Sequence, residues 1–230
     1  MIGIIGAMPI EIENLKSLMT DVKIRKIGKV DYFLGKLNNV DCIAAFSGVG
    51  KVNSACCAHT MALIYNVKKI INIGVAGGLL EEMSTGDVVV SNSSVQYDID
   101  TTALGDPLGL ISTINVINLP SSKFLKEKAI EVLKEHENLN FYEGTIATGD
   151  RFVSKEKELY KIRNDFNSIA CDMETASIAQ VCYLNDLEFL SLRVISDNIN
   201  KSNSHFDYEK FKFSSAKLAC DIIFKMIKML

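Results

Sequence analysis

"KKIINIGVAGG", residues 68–78, decides the fold. Two lysines open it, a short apolar run follows, and small residues end it. A run this short, closed by a glycine turn, has the pattern of a strand buried on both faces. "IGIIGA" (2–7) has the same character, and 9–20 reads as a helix with Pro9 near its first turn. Between these two strands lie "KIRKIG", "DYFLGKL" and "VDCIAAFSG", three further strands, with Asn38-Asn39 turning the second into the third. Residues 50–66 have helical character. Beyond 78, "GDVVVSNSSVQYD" (86–98) predicts a strand, 99–120 a long loop, and 121–136 a helix with a serine start. Loops of that length are often functional. "YEGTIATGDRFV" predicts a strand running into a loop, and 155–165 a charged helix. "SIACDM", "ETASIAQVCYLND" and "LEFLSLRVISD" predict strand, helix and strand. A polar, mobile segment over 197–206 and a helix over about 207–229 complete the chain. Strands alternating with helices, and no linker, repeat or low-complexity tract, point to one three-layer α/β domain over 1–230. Its mixed, twisted central sheet is flanked by helices.

Composition limits the function. The chain has 230 residues, 48% of them hydrophobic, enough for a sizeable core. A net charge of −3 lacks the basic footprint that nucleic acid requires. The apolar start has no basic flank and ends at Pro9 and Glu11, so it reads as a strand, with no membrane role expected. Six cysteines show no CxxC spacing and mostly sit in apolar company, the pattern of reduced thiols in a cytoplasmic protein. Three histidines make a zinc site a poor expectation.

Four apparent strand ends carry polar groups or a glycine turn: Glu11, "GVAGG" (74–78), "CDMET" (171–175) and "RVISDN" (193–198). Open α/β sheets bind ligands beyond the carboxyl ends of their strands. Each also has a plainer reading. A carboxylate in the first turn of a helix, such as Glu11, is favoured by the dipole alone. "GVAGG" can be a tight turn, Asp197 a loop cap and Arg193 the partner of a surface acid. If a helix starts near 173, Asp172 is its N-cap. Glu174 then faces a different direction and is free to meet a ligand, where a carboxylate suits a sugar diol.

"IGIIGAMPIEI", "SGVGKVNSA", "INIGVAGGL", "TGDRFV", "CDMETASIAQVC" and "RVISDN" resemble, in order, the blocks of bacterial 5′-methylthioadenosine/S-adenosylhomocysteine nucleosidases. The parent superfamily is that of the purine nucleoside phosphorylases. The resemblance covers nearly the whole chain. It implies a nucleoside phosphorylase-like fold and a small-molecule nucleoside substrate. It implies that Glu11 orients or deprotonates the attacking water and that Asp197 protonates purine N7. Met173 and Glu174 correspond to the ribose-contacting pair, with Met8 near the ribose. Phe152 corresponds to the aromatic stacked on adenine, Val153 to the residue whose backbone reads the adenine edge, and Gly77 to the glycine turn. Arg193 and Ser196 would orient Asp197 or close the site, and Tyr208 stands at a lid position that is often Phe. Val75 departs from the pattern, standing where some members have a serine able to bond the catalytic aspartate. The resemblance also implies a homodimer whose partner helps close the 5′ pocket.

The chemistry fits these residue types. Breaking an N-glycosidic bond puts positive charge on the sugar and negative charge on the purine. An acid at N7 and a base-held water on the opposite face answer both, as in inverting glycoside hydrolysis. No metal or organic cofactor is needed. One rival is a purine nucleoside phosphorylase, for which phosphate would need arginines. "MPIEIEN" and "IINIG" offer none. Another rival, a non-catalytic nucleoside-binding protein, has no use for Glu11 and Asp197 together.

Overall fold

The computed structural model describes residues 1–137, 139–199 and 204–230, with side chains of the last segment from 213 onward. In chain order the elements are β1 (Ile2–Gly6), α1 (Pro9–Leu18), β2 (Thr20–Ile27), β3 (Val30–Leu37), β4 (Val40–Phe46), α2 (Lys51–Tyr65) and β5 (Lys69–Gly78). There follow β6 (Val88–Gln96), β7 (Leu119–Pro120), α3 (Lys123–Lys134), β8 (Phe141–Thr148) and α4 (Glu156–Phe166). The chain ends with β9 (Ser168–Asp172), α5 (Thr175–Leu184), β10 (Glu188–Asn198) and α6 (Ser204–Ile227). The expected loop over 99–120 holds one 3₁₀ turn at Thr102–Leu104, a bridge from Ile111 to Val116, and β7. Residues 200–203 of the expected mobile segment lie outside the described ones, while 197 and 198 end β10 and 204–206 begin α6.

Local chemistry explains many boundaries. Asn38 and Asn39 both adopt positive φ, 47° and 65°, which closes β3 onto β4 with the twist a two-residue hairpin needs. Ser122 caps α3 by accepting from the Leu125 N–H at 3.3 Å. Asn66 and Asn167 end α2 and α4 in the left-handed conformation that asparagine tolerates.

The sheet is mixed. Its order is β10-β6-β8-β9-β5-β1-β4-β3-β2, and β10 also pairs with β5. That extra pairing closes β10, β6, β8, β9 and β5 into a ring, from which β1, β4, β3 and β2 continue as a wing. Strand alternation feeds two cores on opposite faces. Ile2, Ile4, Ile71 and Ile73 pack with Ile12, Leu15, Leu125 and Ile223, under α1, α3 and α6. Ile5 and Ile70 point the other way, onto Cys57, Met61, Ile178 and Phe189, under α2 and α5. Helices therefore cover both faces of β1 and β5, which is why these strands read as unbroken apolar runs.

Closure of the ring also positions the polar strand ends. β5 lies between β10 and β9, with Gly77 in register with Asp197 on one side and Cys171 on the other. The β10–β5 register shifts between Ile195 and Asp197, a bulge at Ser196. Bulges re-aim the side chains that follow them. No helix among the described residues is long and apolar enough to cross a membrane.

Candidate active site

One cleft gathers the carboxyl ends of β1, β5, β9 and β10. Ala7, Met8, Glu11, Val49, Val75, Ala76, Gly77, Phe152, Cys171, Asp172, Met173, Glu174, Arg193, Ser196 and Asp197 line it. A smaller hollow adjoins it and adds Arg151 and Val153 to residues shared between the two. Of the residues expected from the sequence, Met8, Glu11, Gly77, Phe152, Val153, Met173, Glu174, Arg193, Ser196 and Asp197 therefore converge here. The side chain of Tyr208 lies outside the described ones.

Glu11 is both a cap and a cleft carboxylate. It sits in the first turn of α1, and its Oε2 folds back to accept the N–H of Ala7 at 2.6 Å and of Met8 at 3.0 Å. Oε1 turns to the Val75 N–H at 3.3 Å. Burial pushes this carboxyl above its ordinary range, and the Arg193 charge and the three N–H groups pull it back. The outcome is a carboxylate of heightened basicity at one end of the cleft.

At the other end, Asp197 follows the bulge, and the Ser196 hydroxyl donates to its Oδ1 at 2.7 Å. Two sides of its surroundings are set by Gly77, where an added Cβ would lie 3.6 Å from Asp197 Oδ2 and 3.4 Å from Cys171 Sγ. Burial and the nearby Asp197 and Asp172 charges push the Cys171 thiol up, keeping it protonated.

Arg193 corrects three expectations. It does not pair with a surface acid. It is 1% exposed, and its Nη2 meets Asp172 Oδ2 at 2.6 Å while Nη1 lies 3.7 Å from Glu174 Oε2. Nη2 also donates to Asn72 Oδ1, Nη1 to the Val75 carbonyl at 3.3 Å, and Nε to Thr175 and Ser191 hydroxyls at 3.2 and 3.3 Å. Asp172 and Glu174, which local helical geometry would send apart, thus turn to one guanidinium. An arginine also does stand beside Glu11 and the glycine turn. It arrives on β10 and is closely held by Asp172, Glu174 and Asn72.

The helix start is corrected as well. α5 begins at Thr175, and Glu174 occupies the N-cap position without making a side-chain cap. Asp172 stays in β9 because it pairs there with Thr148. It still reaches the helix, accepting the Thr175 N–H at 3.0 Å, and it accepts the Thr148 and Thr175 hydroxyls too. It is a buried anion in a full hydrogen-bond shell.

Glu174 accepts the Gly50 N–H at 2.9 Å on Oε1. Burial pushes its pKa up to about 7, opposed by Arg193 and Gly50 and reinforced by Asp172 and Glu11. Phe152 is 51% exposed at the rim. The supporting residues Asn72, Ser191 and Thr175 were not singled out in the sequence. For Asn72 and Ser191 the one signal was a lone polar residue inside an apolar run, as in "IINIG" and "FLSLRV"; Thr175, directly after Glu174, carried none.

Known proteins agree with this architecture. The profile of the Phosphorylase superfamily matches residues 1–228. A 5′-methylthioadenosine/S-adenosylhomocysteine nucleosidase of Haemophilus ducreyi is 37% identical, over 98% of this chain and 97% of its own length. The chain belongs to the nucleosidases of the phosphorylase superfamily. Another relative of this nucleosidase is the aminodeoxyfutalosine nucleosidase of Campylobacter jejuni, 36% identical over 100% of this chain and 99% of its own. The crystal structure of the Neisseria meningitidis 5′-methylthioadenosine/S-adenosylhomocysteine nucleosidase in complex with methylthio-immucillin-A superposes with a TM-score of 0.95 at 30% identity. That match covers 100% of this chain and 99% of the other. The nucleosidase fold, with its mixed sheet and flanking helices, is that of this family.

Proposed function

We propose that this nucleosidase hydrolyses the N-glycosidic bond of 5′-methylthioadenosine and S-adenosylhomocysteine, releasing adenine and the 5′-thio-substituted ribose. The observation that carries the reading is the opposition of two carboxylates in one cleft, Glu11 at the β1 end and Asp197 at the β10 end, with Glu174 beside them. Glu11 takes a proton from the attacking water, which its raised pKa favours. Asp197 gives a proton to N7, and the Ser196 hydroxyl aims it. Glu174 grips the ribose diol while Arg193 and the Gly50 N–H hold the carboxylate in place. Negative charge there stabilises the oxocarbenium-like sugar. Phe152 supplies the face for adenine, Val153 the backbone edge, and Met8 and Met173 the apolar flanks of the ribose. No step calls on a metal or an organic cofactor.

Water is favoured over phosphate because Arg193, the one cation lining the main cleft among the described residues, is already bonded to two carboxylates. Incubation with methylthioadenosine, with and without phosphate, tests this. Adenine release is expected to be independent of phosphate, with free methylthioribose as product. Methylthioribose 1-phosphate would overturn the hydrolase reading. Aminodeoxyfutalosine is a second substrate reading, favoured by the Campylobacter jejuni relative and by the half-exposed Val49 at the cleft mouth. It changes only the 5′ group, so the same acid and base would serve.

The proposal extends to organisation. Residues 1–230 act as one catalytic domain, in the cytoplasm, as a homodimer. Support for the dimer comes from the exposed Val52 and Leu184, which line one groove between α2 and α5. A solution mass twice that of the 25.4 kDa chain is expected in sedimentation equilibrium.

A further inference from the structure

Three segments around the cleft meet in a closed ring of hydrogen bonds outside it. Asp150 Oδ1 accepts the backbone N–H of Lys51, the first residue of α2, at 2.7 Å. The backbone N–H of Asp150 donates to Asp98 Oδ2 at 3.0 Å, and Lys51 Nζ returns to Asp98 Oδ1 at 2.6 Å. Asp98 follows β6 at the head of the long loop. Asp150 precedes Phe152 and Val153. Lys51 follows Gly50, whose own N–H holds Glu174.

α2 lacks a cap of its own. Its N-cap residue is Gly50, with no side chain to offer, at a φ of 97°. The cap is supplied from across the chain, 99 positions away, by Asp150. The fit is close: a Cβ at Gly50 would lie 2.9 Å from Asp150 Oδ1. Gly50-Lys51 is thus held between two carboxylates, Glu174 through the first N–H and Asp150 through the second.

We infer that Asp150 is a positioning residue, which caps α2 from the purine-side segment and so keeps the Gly50 N–H on Glu174. Its kinetic consequences rest on the nucleosidase reading, but its structural consequence does not. Without the Asp150 carboxylate, the α2 terminus loses its only side-chain acceptor in this ring on the backbone, and the Gly50–Glu174 bond loosens. The Glu174 carboxylate is then less stabilised. It still faces Arg193 from β10, Asp172 from β9 and Glu11 from α1, which do not change. Its protonation moves to higher pH, and the acid limb of kcat/KM follows. Asn at this position keeps an oxygen for the Lys51 N–H and caps about as well as Asp.

The test compares wild type, Asp150→Ala and Asp150→Asn. Residue-resolved amide exchange on ¹⁵N-labelled protein reads the Gly50 N–H directly. Exchange at Gly50 is expected to be roughly tenfold faster in Asp150→Ala and near wild type in Asp150→Asn, a cap being worth about a factor of 3–30. With methylthioadenosine, Asp150→Ala is expected to lose about 3- to 30-fold in kcat/KM, with its acid limb displaced upward and the Asn variant restoring both. Unchanged Gly50 protection in the Ala variant overturns the inference. So does an Asn variant as impaired as Ala. A wild type that fails to turn over methylthioadenosine sinks the activity reading alone, because the exchange arm still decides the role of Asp150.

Discussion

Arg193 is a full-length cation with essentially no contact with water, and this sets what its neighbours can tolerate. A buried pair stripped of one partner leaves an uncompensated charge, costing about 3–5 kcal/mol. Asp172→Asn is therefore expected to be damaging, although Asn would serve well as a mere helix cap. It should lower the thermal midpoint and, by freeing Arg193 to shift on Glu174, reduce turnover. Melts and steady-state kinetics on one preparation check this. A variant with wild-type stability and rate would return Asp172 to the role of a cap. Asp197 calls for the opposite pattern. Asp197→Asn keeps the shape and can still accept from Ser196, so folding and nucleoside binding should persist. Turnover should fall by about 10²–10⁴, the usual worth of a general acid. A folded variant retaining half of the wild-type kcat would remove Asp197 from the chemistry.

Among the elements, β5 has the tightest tolerance. Gly74 lies where β5 passes under the cleft floor, and a Cβ there would come within 2.4 Å of Arg193 Nη1 and 2.7 Å of Glu11 Oε1. Neither neighbour has room to retreat, since both are buried and bonded on several sides. Gly74→Ala is expected to cost about 1–3 kcal/mol through overpacking. It should also depress activity by displacing Glu11, whereas Ala at Gly86, where nothing lies within 4 Å, should leave the rate intact despite its φ of 97°. Equal rates for Gly74→Ala and wild type would show that the floor can yield. Most element identities were legible, because strand alternation, helix period and the Asn38-Asn39 turn are written in neighbouring residues. The start of α5 was misjudged by two residues. Asp172 has the chemistry of an N-cap, but the pairing of β9 with β8 keeps it in the strand. The bulge at Ser196 carried no local signal, since it is a mismatch in length between two paired strands.

For the whole molecule, burying Glu11 and Glu174 has a consequence for stability. Both carboxyls are raised in the folded state from an ordinary value of 4.5, Glu174 to about 7. Between those values the folded chain binds more protons than the unfolded one, so stability falls as pH rises through the window. Wild type is expected to lose about 1–3 kcal/mol more than Glu174→Gln between pH 5 and pH 8. Urea unfolding at both pH values measures the difference. Identical pH dependence in the two proteins would mean that Glu174 ionises normally.

From its residues alone the chain determined an alternating α/β order, a slightly acidic composition, and carboxylates at strand ends. Those properties are local, set by side-chain volume, period and turn preference. Six ordered blocks added the likeness to a family. Only the tertiary structure decided which strand ends meet. β10 joins both β6 and β5, and this closure brings Arg193 to Asn72, 121 positions away in the chain. The sequence offered Arg193 as the partner of a surface acid. Burial overruled this, because a charge removed from water must find its opposite within hydrogen-bond reach, and which opposite is there depends on strand pairing.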